Sequence, residues 1–151
     1  DQEDEKKIKA IAAKDGITAI KIKSSRMLMA YGFLRKIFQI FENFKTPIDM
    51  ISTSEVAVSL TIDDSTHLNP IIDQLKDFGD VAVDQNQTII CIVGNKIVEK
   101  EEVLQKVFCA VENIPVRMIS YGGSRYNISI LVDTKYKEKA LIELNKQIFD
   151  L

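Results

Sequence analysis

Hydrophobic and polar residues alternate along a stretch near the middle of the chain, and this stretch predicts two strands joined by a polar corner. From Val56 onward every second residue is apolar, a period of two that is typical of a half-buried strand. The apolar run that begins at Ile48 predicts the strand before it, and Pro47 ends the element that precedes both. The polar residues Ser52–Glu55 predict the turn between the two strands.

Apolar residues recur at helical spacing on either side of this pair of strands. One predicted helix follows Gly32 and ends near Asn43, and the other is closed by Gly79 in a left-handed conformation. The first half of the chain thus predicts the order strand, helix, strand, strand, helix, strand. Outside the central pair, its predicted elements are the strand Thr18–Lys23, helices with apolar stripes at 33–41 and 68–75, and the strand Val81–Val83.

The same order of elements begins again in the second half. Its predicted elements are the strand Thr88–Val93, the helix Glu101–Asn113, the strands Val116–Tyr121 and Asn127–Val132 around a Gly122-Gly123 turn, and the helix Lys137–Phe149. Residue identities support a repeat, since the helix segment that begins at Leu34 matches the one that begins at Leu104, an offset of 104 − 34 = 70.

The second copy of the repeat has no residues left for a fourth strand after Phe149. The spare apolar segment Ile8–Ala13, which precedes a predicted turn at Asp15-Gly16, is the substitute, because a sheet lacking it would expose an unpaired edge. The predicted fold class is therefore α+β, with two ferredoxin-like βαββαβ domains in tandem and the first inserted into the second. The predicted boundaries are a solvated leader at 1–7, a first domain at 16–85, and a second domain at 8–15 plus 86–151.

Composition narrows the possible functions of the chain. At 151 residues and 46% hydrophobic, it can bury a substantial core, and its net charge of −2 argues against a nucleic-acid surface. No apolar run reaches the ~20 residues of a membrane span, and no signal peptide is visible. We therefore expect a cytoplasmic protein in which Cys91 and Cys109 are buried free thiols and His67, the only histidine, is at the surface. The charged start predicts a fragment of a longer protein.

The residues offer no catalytic constellation, but they allow a site for a small charged ligand. The helix start at Gly32-Phe33-Leu34 favours an anion such as an α-carboxylate, because its first N–H groups lack helical partners. Asp49 and Glu55 flank the strand corner and offer negative charge to ammonium groups. Such a set suits an amino acid with a cationic side chain, although both acids also fit solvated loop charges. The second copy has Arg117 and Gly123 at the positions of the two acids.

Several motifs resemble a known family over nearly the whole chain from about Ile8. They are Met27-Leu28, Gly32-Phe33-Leu34, Ile48-Asp49, Thr53-Ser54-Glu55-Val56 with Leu60-Thr61, and Val116-Arg117-Met118-Ile119-Ser120-Tyr121-Gly122. With these motifs the chain resembles the regulatory region of aspartate kinases, a tandem of ACT domains, and above all the monofunctional, lysine-inhibited class. The resemblance implies feedback control by an end-product amino acid that binds where two first-copy domains pair across a homodimer.

Carried over residue by residue, the resemblance also implies a ligand site and a missing catalytic part. The implied ligand-binding residues are Met27, Ala30, Gly32, Phe33, Leu34, Ile48, Asp49, Ser54, Glu55 and Thr61. Thr61 occupies a position where inhibition in the family is sensitive to substitution. Ala30 is a departure, since lysine-sensitive relatives often have serine there, and the lost hydroxyl leaves open a threonine response or a weakened lysine response. The kinase domain, with its ATP and magnesium, is absent, so no cofactor is expected in this chain.

Three functions remain open from the sequence. The first is an allosteric module that binds lysine or a related amino acid, and the second is a structural dimerisation module without a ligand site. The third is an RNA-binding module, because RNA recognition domains share this order of elements. It is disfavoured, since such domains stack bases on central-strand aromatics and Ser59 and Thr61 line that face here.

Overall fold

The computed structural model describes residues 8–24, 31–94, 101–123 and 125–149. Its strands are β1 (Ile8–Lys23), β2 (Ile51–Thr53), β3 (Ala57–Ile62), β4 (Asp80–Gly94), β5 (Val116–Ser120) and β6 (Asn127–Asp133). Its helices are α1 (Phe33–Asn43), α2 (Leu68–Leu75), α3 (Glu101–Ala110) and α4 (Lys137–Phe149). The predicted α+β class is confirmed. The predicted leader at 1–7 lies outside the described residues.

The chain divides into two compact units, and the first unit comprises Gly16–Gln85. Its strands lie in the order β2-β3-β1-β4, with β3 antiparallel to both of its neighbours. The predicted alternation in β3 is confirmed for three residues, because Val58, Leu60 and Ile62 are fully buried. They pack with apolar residues of β1, α1 and α2, namely Ile20, Ile22, Phe33, Ile37, Ile40, Phe41, Leu68, Ile71 and Leu75.

The second unit joins the segment that ends at Asp15 to the segment that begins at Asn86. Its strands lie in the order β1-β4-β6-β5, and β6 is antiparallel to β4 and β5. The prediction of a strand at Ile8–Ala13 is confirmed, since this segment forms the start of β1 and Ile11 packs against the core of the second unit. That core is formed by Ile90, Ile92, Val103, Val107, Ala110, Val111, Ile114, Ile128, Ile130, Val132, Ala140 and Leu144.

The predicted turn at Asp15-Gly16 is wrong, because β1 continues through both residues. Gly16 has a φ of 72°, and Asn86, at the equivalent position in β4 (86 − 16 = 70), has a φ of 57°. A left-handed residue within a strand is typical of a bulge, which bends a strand without ending it. β1 and β4 therefore each continue through a left-handed residue, although separate elements were predicted on either side of it.

The prediction that Gly79 closes the second helix in a left-handed conformation is also wrong. Its φ is not positive, and a Cβ at this position would overlap the carbonyl oxygen of Lys23 and lie 3.0 Å from the carbonyl carbon. Glycine is needed at residue 79 because the backbone of β1 passes so close, not because of an unusual backbone angle.

Several residues that the pattern placed in the core are at the surface. Val56 is 40% exposed because β3 begins one residue later, and Leu34 and Phe38 on α1 are each 39% exposed. Cys109 is exposed and Cys91 is half-buried, so the prediction of two buried thiols is wrong; both are free. The predicted surface position of His67 is confirmed. Helix α3 ends at Ala110, three residues earlier than predicted.

A polar cluster in the second unit joins β1 to β4 and to the start of α4. The Asp15 carboxylate accepts a hydrogen bond of 2.9 Å from the Thr88 hydroxyl and pairs with the Lys137 ammonium at 2.8 Å. The Thr134 hydroxyl lies 2.9 Å from that of Thr88. The hydrogen bond from Lys137 and then that from Thr88 lower the pKa of Asp15.

We expect Asp15 to make the stability of the chain depend on pH in the acidic range. Because the pKa of Asp15 is lower in the folded than in the unfolded chain, its contribution is present above the unfolded pKa and is lost as the pH falls through the folded pKa. Chemical denaturation measured from neutral pH to below about pH 4 should show this loss. Asp15→Asn and Lys137→Met should both flatten the acidic part of the profile, and an unchanged profile in both variants would contradict the assignment.

Candidate functional site

The first part of the predicted site is the start of α1, which offers backbone N–H groups. Gly32 is the N-cap of this helix and has a left-handed conformation with a φ of 77°. No side chain accepts a hydrogen bond from the N–H groups of the helix start as a cap, and the first turn contains no acidic residue. The ring of Phe33 is 9% exposed and meets the Phe78 ring edge-on at a centroid distance of 6.1 Å. The helix start is thus held in place by packing, while its N–H groups and dipole favour an anion.

The second part is the backbone around Asp49, which is held by hydrogen bonds to Thr61 in β3. The Asp49 N–H donates to the Thr61 carbonyl at 2.9 Å, and the Thr61 N–H donates to the Met50 carbonyl at 3.0 Å. The Met50 N–H donates to the Thr61 hydroxyl at 2.9 Å, inside the core. Two consecutive N–H groups therefore converge on one residue, as in a β-bulge, which re-aims the side chain on the irregular strand.

Thr61 is buried, whereas a residue that contacts a ligand is expected to be accessible at the surface. Thr61 is fully buried, and its hydroxyl is occupied by the Met50 N–H. Asp49, in contrast, is exposed, and its backbone N–H donates a hydrogen bond to the Thr61 carbonyl. Thr61 is thus placed to position Asp49, and sequence reasoning missed this because the alternating pattern shows only that a threonine occupies one face of the strand.

The third part is the turn between β2 and β3, which carries Ser54 and Glu55. The Ser54 N–H donates to the Ala57 carbonyl at 2.9 Å, so the turn spans 54–56 and is narrower than predicted. Glu55 is exposed, and it forms no ion pair within the described part of the chain. Its carboxylate is therefore available to a cationic group.

The remaining predicted residues differ in their surroundings. Ile48 is half-buried and packs against the same core as Phe33, so the segment before β2 and the start of α1 are held by the same core. Leu34 lines a shallow surface groove of about 440 Å³ along α1 with Arg35, Phe38, Gln39 and Glu42. Met27 and Ala30 lie outside the described residues.

The second unit repeats the irregular strand but not the polar groups around it. The register of β5 against β6 shifts between Val116 and Met118, so Arg117 occupies the bulge where the first unit has Asp49. Opposite Met118 stands Leu131, which has no hydroxyl, where the first unit has Thr61. The backbone scaffold is common to both units, whereas the acid and the buried hydroxyl belong to the first.

Neither a metal-ligand cluster nor a membrane-spanning helix occurs among the described residues. Within 8–24, 31–94, 101–123 and 125–149, no group of three or more His, Cys, Asp or Glu side chains could hold a metal ion. In the same part of the chain, no helix is long and apolar enough to cross a membrane.

Comparison with known proteins identifies the class of this fold and then the family. The family model of the ACT domain matches residues 90–148, so this part of the chain has the fold of an ACT domain. A solved C-terminal regulatory domain of aspartate kinase from Porphyromonas gingivalis is 51% identical, with a TM-score of 0.84 over 93% of this chain and 96% of that one. The chain therefore belongs to the family of aspartate kinase regulatory regions.

Two further relatives are longer than this chain. Aspartokinase 2, chloroplastic, from Arabidopsis thaliana is 32% identical over 93% of this chain and 28% of its own length. Aspartokinase III of Escherichia coli, solved in complex with lysine and aspartate, is 30% identical with a TM-score of 0.82 over 94% of this chain and 33% of that one. The chain thus spans about a third or less of the length of these two enzymes.

Proposed function

We propose that this chain is the lysine-responsive regulatory region of a monofunctional aspartate kinase. The effector is bound by the first unit, and the chain forms a homodimer through that unit. The observation that carries the proposal is the bulge at Asp49, which places an acidic residue on the surface of the first unit. Its counterpart in the second unit presents Arg117, so the first unit is the one suited to a cationic side chain.

The chemistry of lysine fits the three parts of the candidate site. The start of α1 suits the α-carboxylate, because its N–H groups and dipole favour negative charge. Asp49 and Glu55 receive the two ammonium groups. The solved Escherichia coli relative, whose complex contains lysine, supports this choice of effector.

We further propose that each unit is one ACT domain and that the first is inserted into the second. The division of the chain at Asp15/Gly16 and Gln85/Asn86 supports this assignment, as does the strand order of each unit, which is that of a βαββαβ fold. In the longer protein a kinase domain would phosphorylate aspartate, and we assign ATP and magnesium to that domain.

A second candidate function is a response to threonine or another amino acid, and a third is dimerisation without a ligand. The response to threonine or another amino acid is favoured by Ala30, which has no hydroxyl. The serine that lysine-sensitive relatives often have at this position would supply a hydrogen bond worth roughly 0.5–1.5 kcal/mol. Calorimetric titration of the 151-residue chain with lysine, threonine and methionine distinguishes the three functions.

The sharpest test of lysine is the substitution Glu55→Gln. It removes one of the two carboxylates, so lysine affinity should fall about tenfold, the lower end for a charge-assisted bond because Glu55 is exposed. Threonine has no second cation, so its affinity should change less. Glu102→Gln, in the second unit, is the control and should leave both affinities unchanged. Lysine affinity that stays within about twofold in Glu55→Gln would contradict this role for Glu55.

A further inference from the structure

Phe78 supports the start of α1 from outside the helix. The ring of Phe33, the first residue of α1, meets the Phe78 ring edge-on, with an angle of 88° between the ring planes. Both side chains belong to the core of the first unit, where Phe33 is buried and Phe78 is half-buried. Edge-to-face aromatic pairs have a preferred geometry. Because Gly32 offers no side chain at the N-cap, this packing fixes where the first turn of the helix lies.

The backbone on either side of the Phe78 ring is itself held. In the turn that follows α2, the Phe78 N–H donates to the Leu75 carbonyl at 2.9 Å. The next residue is Gly79, which passes so close to the end of β1 that a Cβ would overlap the Lys23 carbonyl oxygen. The ring of Phe78 therefore projects from a backbone that has little freedom to shift.

The segment Phe78-Gly79 also connects the helix start to the strand pair beside the Glu55 corner. Gly79 contacts the end of β1 at Lys23. The N–H of Ser24, the next residue, donates to the Val56 carbonyl at 2.9 Å, and Glu55 comes directly before Val56. One short segment thus supports two elements that carry residues of the candidate site.

We propose that Phe78 is a positioning residue for the effector. It holds the N–H groups at the start of α1 in the place where they meet the α-carboxylate, and it acts through Phe33 without touching the effector. Of the three charged groups of lysine, the carboxylate alone depends on Phe78. This inference deepens the proposed function and rests on it, because it requires that the first unit bind lysine.

Phe78→Leu tests this role, because it removes the ring but keeps an apolar side chain. Lysine affinity of the full 151-residue chain, measured by calorimetry, should fall about tenfold, the order expected when a charge-assisted hydrogen bond is lost. Phe78→Met also lacks the ring and should give the same result. Phe78→Tyr keeps the ring and should retain the lysine affinity of the parent chain within about twofold.

Cadaverine separates positioning of the carboxylate site from a general loss of structure. It is lysine without the carboxylate, so it keeps both ammonium groups. Its affinity, followed by NMR titration into the millimolar range, should be weaker than that of lysine in the parent chain. In Phe78→Leu it should change by no more than about twofold. The preference for lysine over cadaverine therefore falls with the ring.

Phe44→Leu is the matched control for the loss of a ring. Phe44 lies at the other end of α1, is half-buried against the same core, and contacts the His67 ring at a centroid distance of 5.9 Å. The same substitution there should lower stability without changing either affinity by more than about twofold. Urea denaturation verifies that all variants are folded under the conditions of the titrations.

The contrary outcomes distinguish the positioning role from the proposed function. Lysine affinity that stays within about threefold in Phe78→Leu, or a fall that cadaverine or Phe44→Leu shares, overturns the role of Phe78 and leaves lysine binding standing. Cadaverine that binds the parent chain as tightly as lysine overturns it as well. Where cadaverine binds too weakly to measure, the comparison with Phe44→Leu and Phe78→Tyr decides. A parent chain that does not bind lysine overturns the proposed function and this inference together.

Discussion

Gly79→Ala should destabilise the first unit by about 3 kcal/mol, because the added methyl group has no space. It would overlap the Lys23 carbonyl oxygen and lie 3.1 Å from the Cβ of Ser24. The carbonyl belongs to the backbone at the end of β1, so it cannot rotate away as a flexible side chain would. Either the strand or the segment between α2 and β4 must shift. The free energy of unfolding, measured by urea denaturation, checks this prediction.

Gly123→Ala is the matched control for this substitution. A Cβ at Gly123 meets nothing within 4 Å, and the φ of this residue is not positive. The variant should therefore unfold within about 0.5 kcal/mol of the parent chain. If Gly79→Ala were equally harmless, the close approach of β1 to residue 79 would be contradicted.

Thr61→Val should cost about 2 kcal/mol of stability and should also weaken lysine binding. Valine preserves the shape of the side chain but removes the hydroxyl that accepts the Met50 N–H, so that a buried donor is left without an acceptor. The segment before β2, which contains Asp49, is then held less firmly. Thr53→Val is the control, since Thr53 lies on the exposed strand β2 and should change stability by at most about 0.5 kcal/mol.

A double-mutant cycle separates the positioning role of Thr61 from its contribution to stability. If Thr61 acts on lysine only through Asp49, then Thr61→Val should have little further effect on lysine affinity once Asp49→Asn is present. Additive losses of affinity in the double variant would show instead that the two residues act independently. The affinities would be measured well below the unfolding transition, so that loss of folded protein does not contribute.

Much of the fold could be predicted because its elements have clear periods. The period-two run in β3 and the helical spacing in α1 reflect the burial of one face of each element, which periodicity reports directly. The continuity of β1 and β4 could not be predicted, since a glycine or asparagine in a bulge has the same local signature as one in a turn. Gly79 illustrates a further limit, because the neighbour that requires glycine there is distant in sequence.

The candidate site was less accessible to sequence reasoning. Asp49 and Glu55 could be selected because they flank the predicted strand corner and neither acid recurs in the second copy, which has Arg117 and Gly123 there. The hydrogen bond that makes Thr61 the support of Asp49 joins residues eleven apart across two strands, and no pattern in the sequence shows it. The exposure of Leu34 and Phe38 could not be predicted either, because an apolar stripe on a helix has the same spacing whether or not another element covers it.

The long β1 strand has a consequence for the order in which the chain folds during synthesis. All residues of the first unit lie in one stretch of sequence, so it can fold as soon as that stretch is complete. The first half of β1 must wait, because Asp15 bonds to Thr88, 73 residues later, and to Lys137, 122 residues later. Closing such distant contacts is slow. The nascent chain thus holds the first half of β1 without its partner strand until β4 has been made.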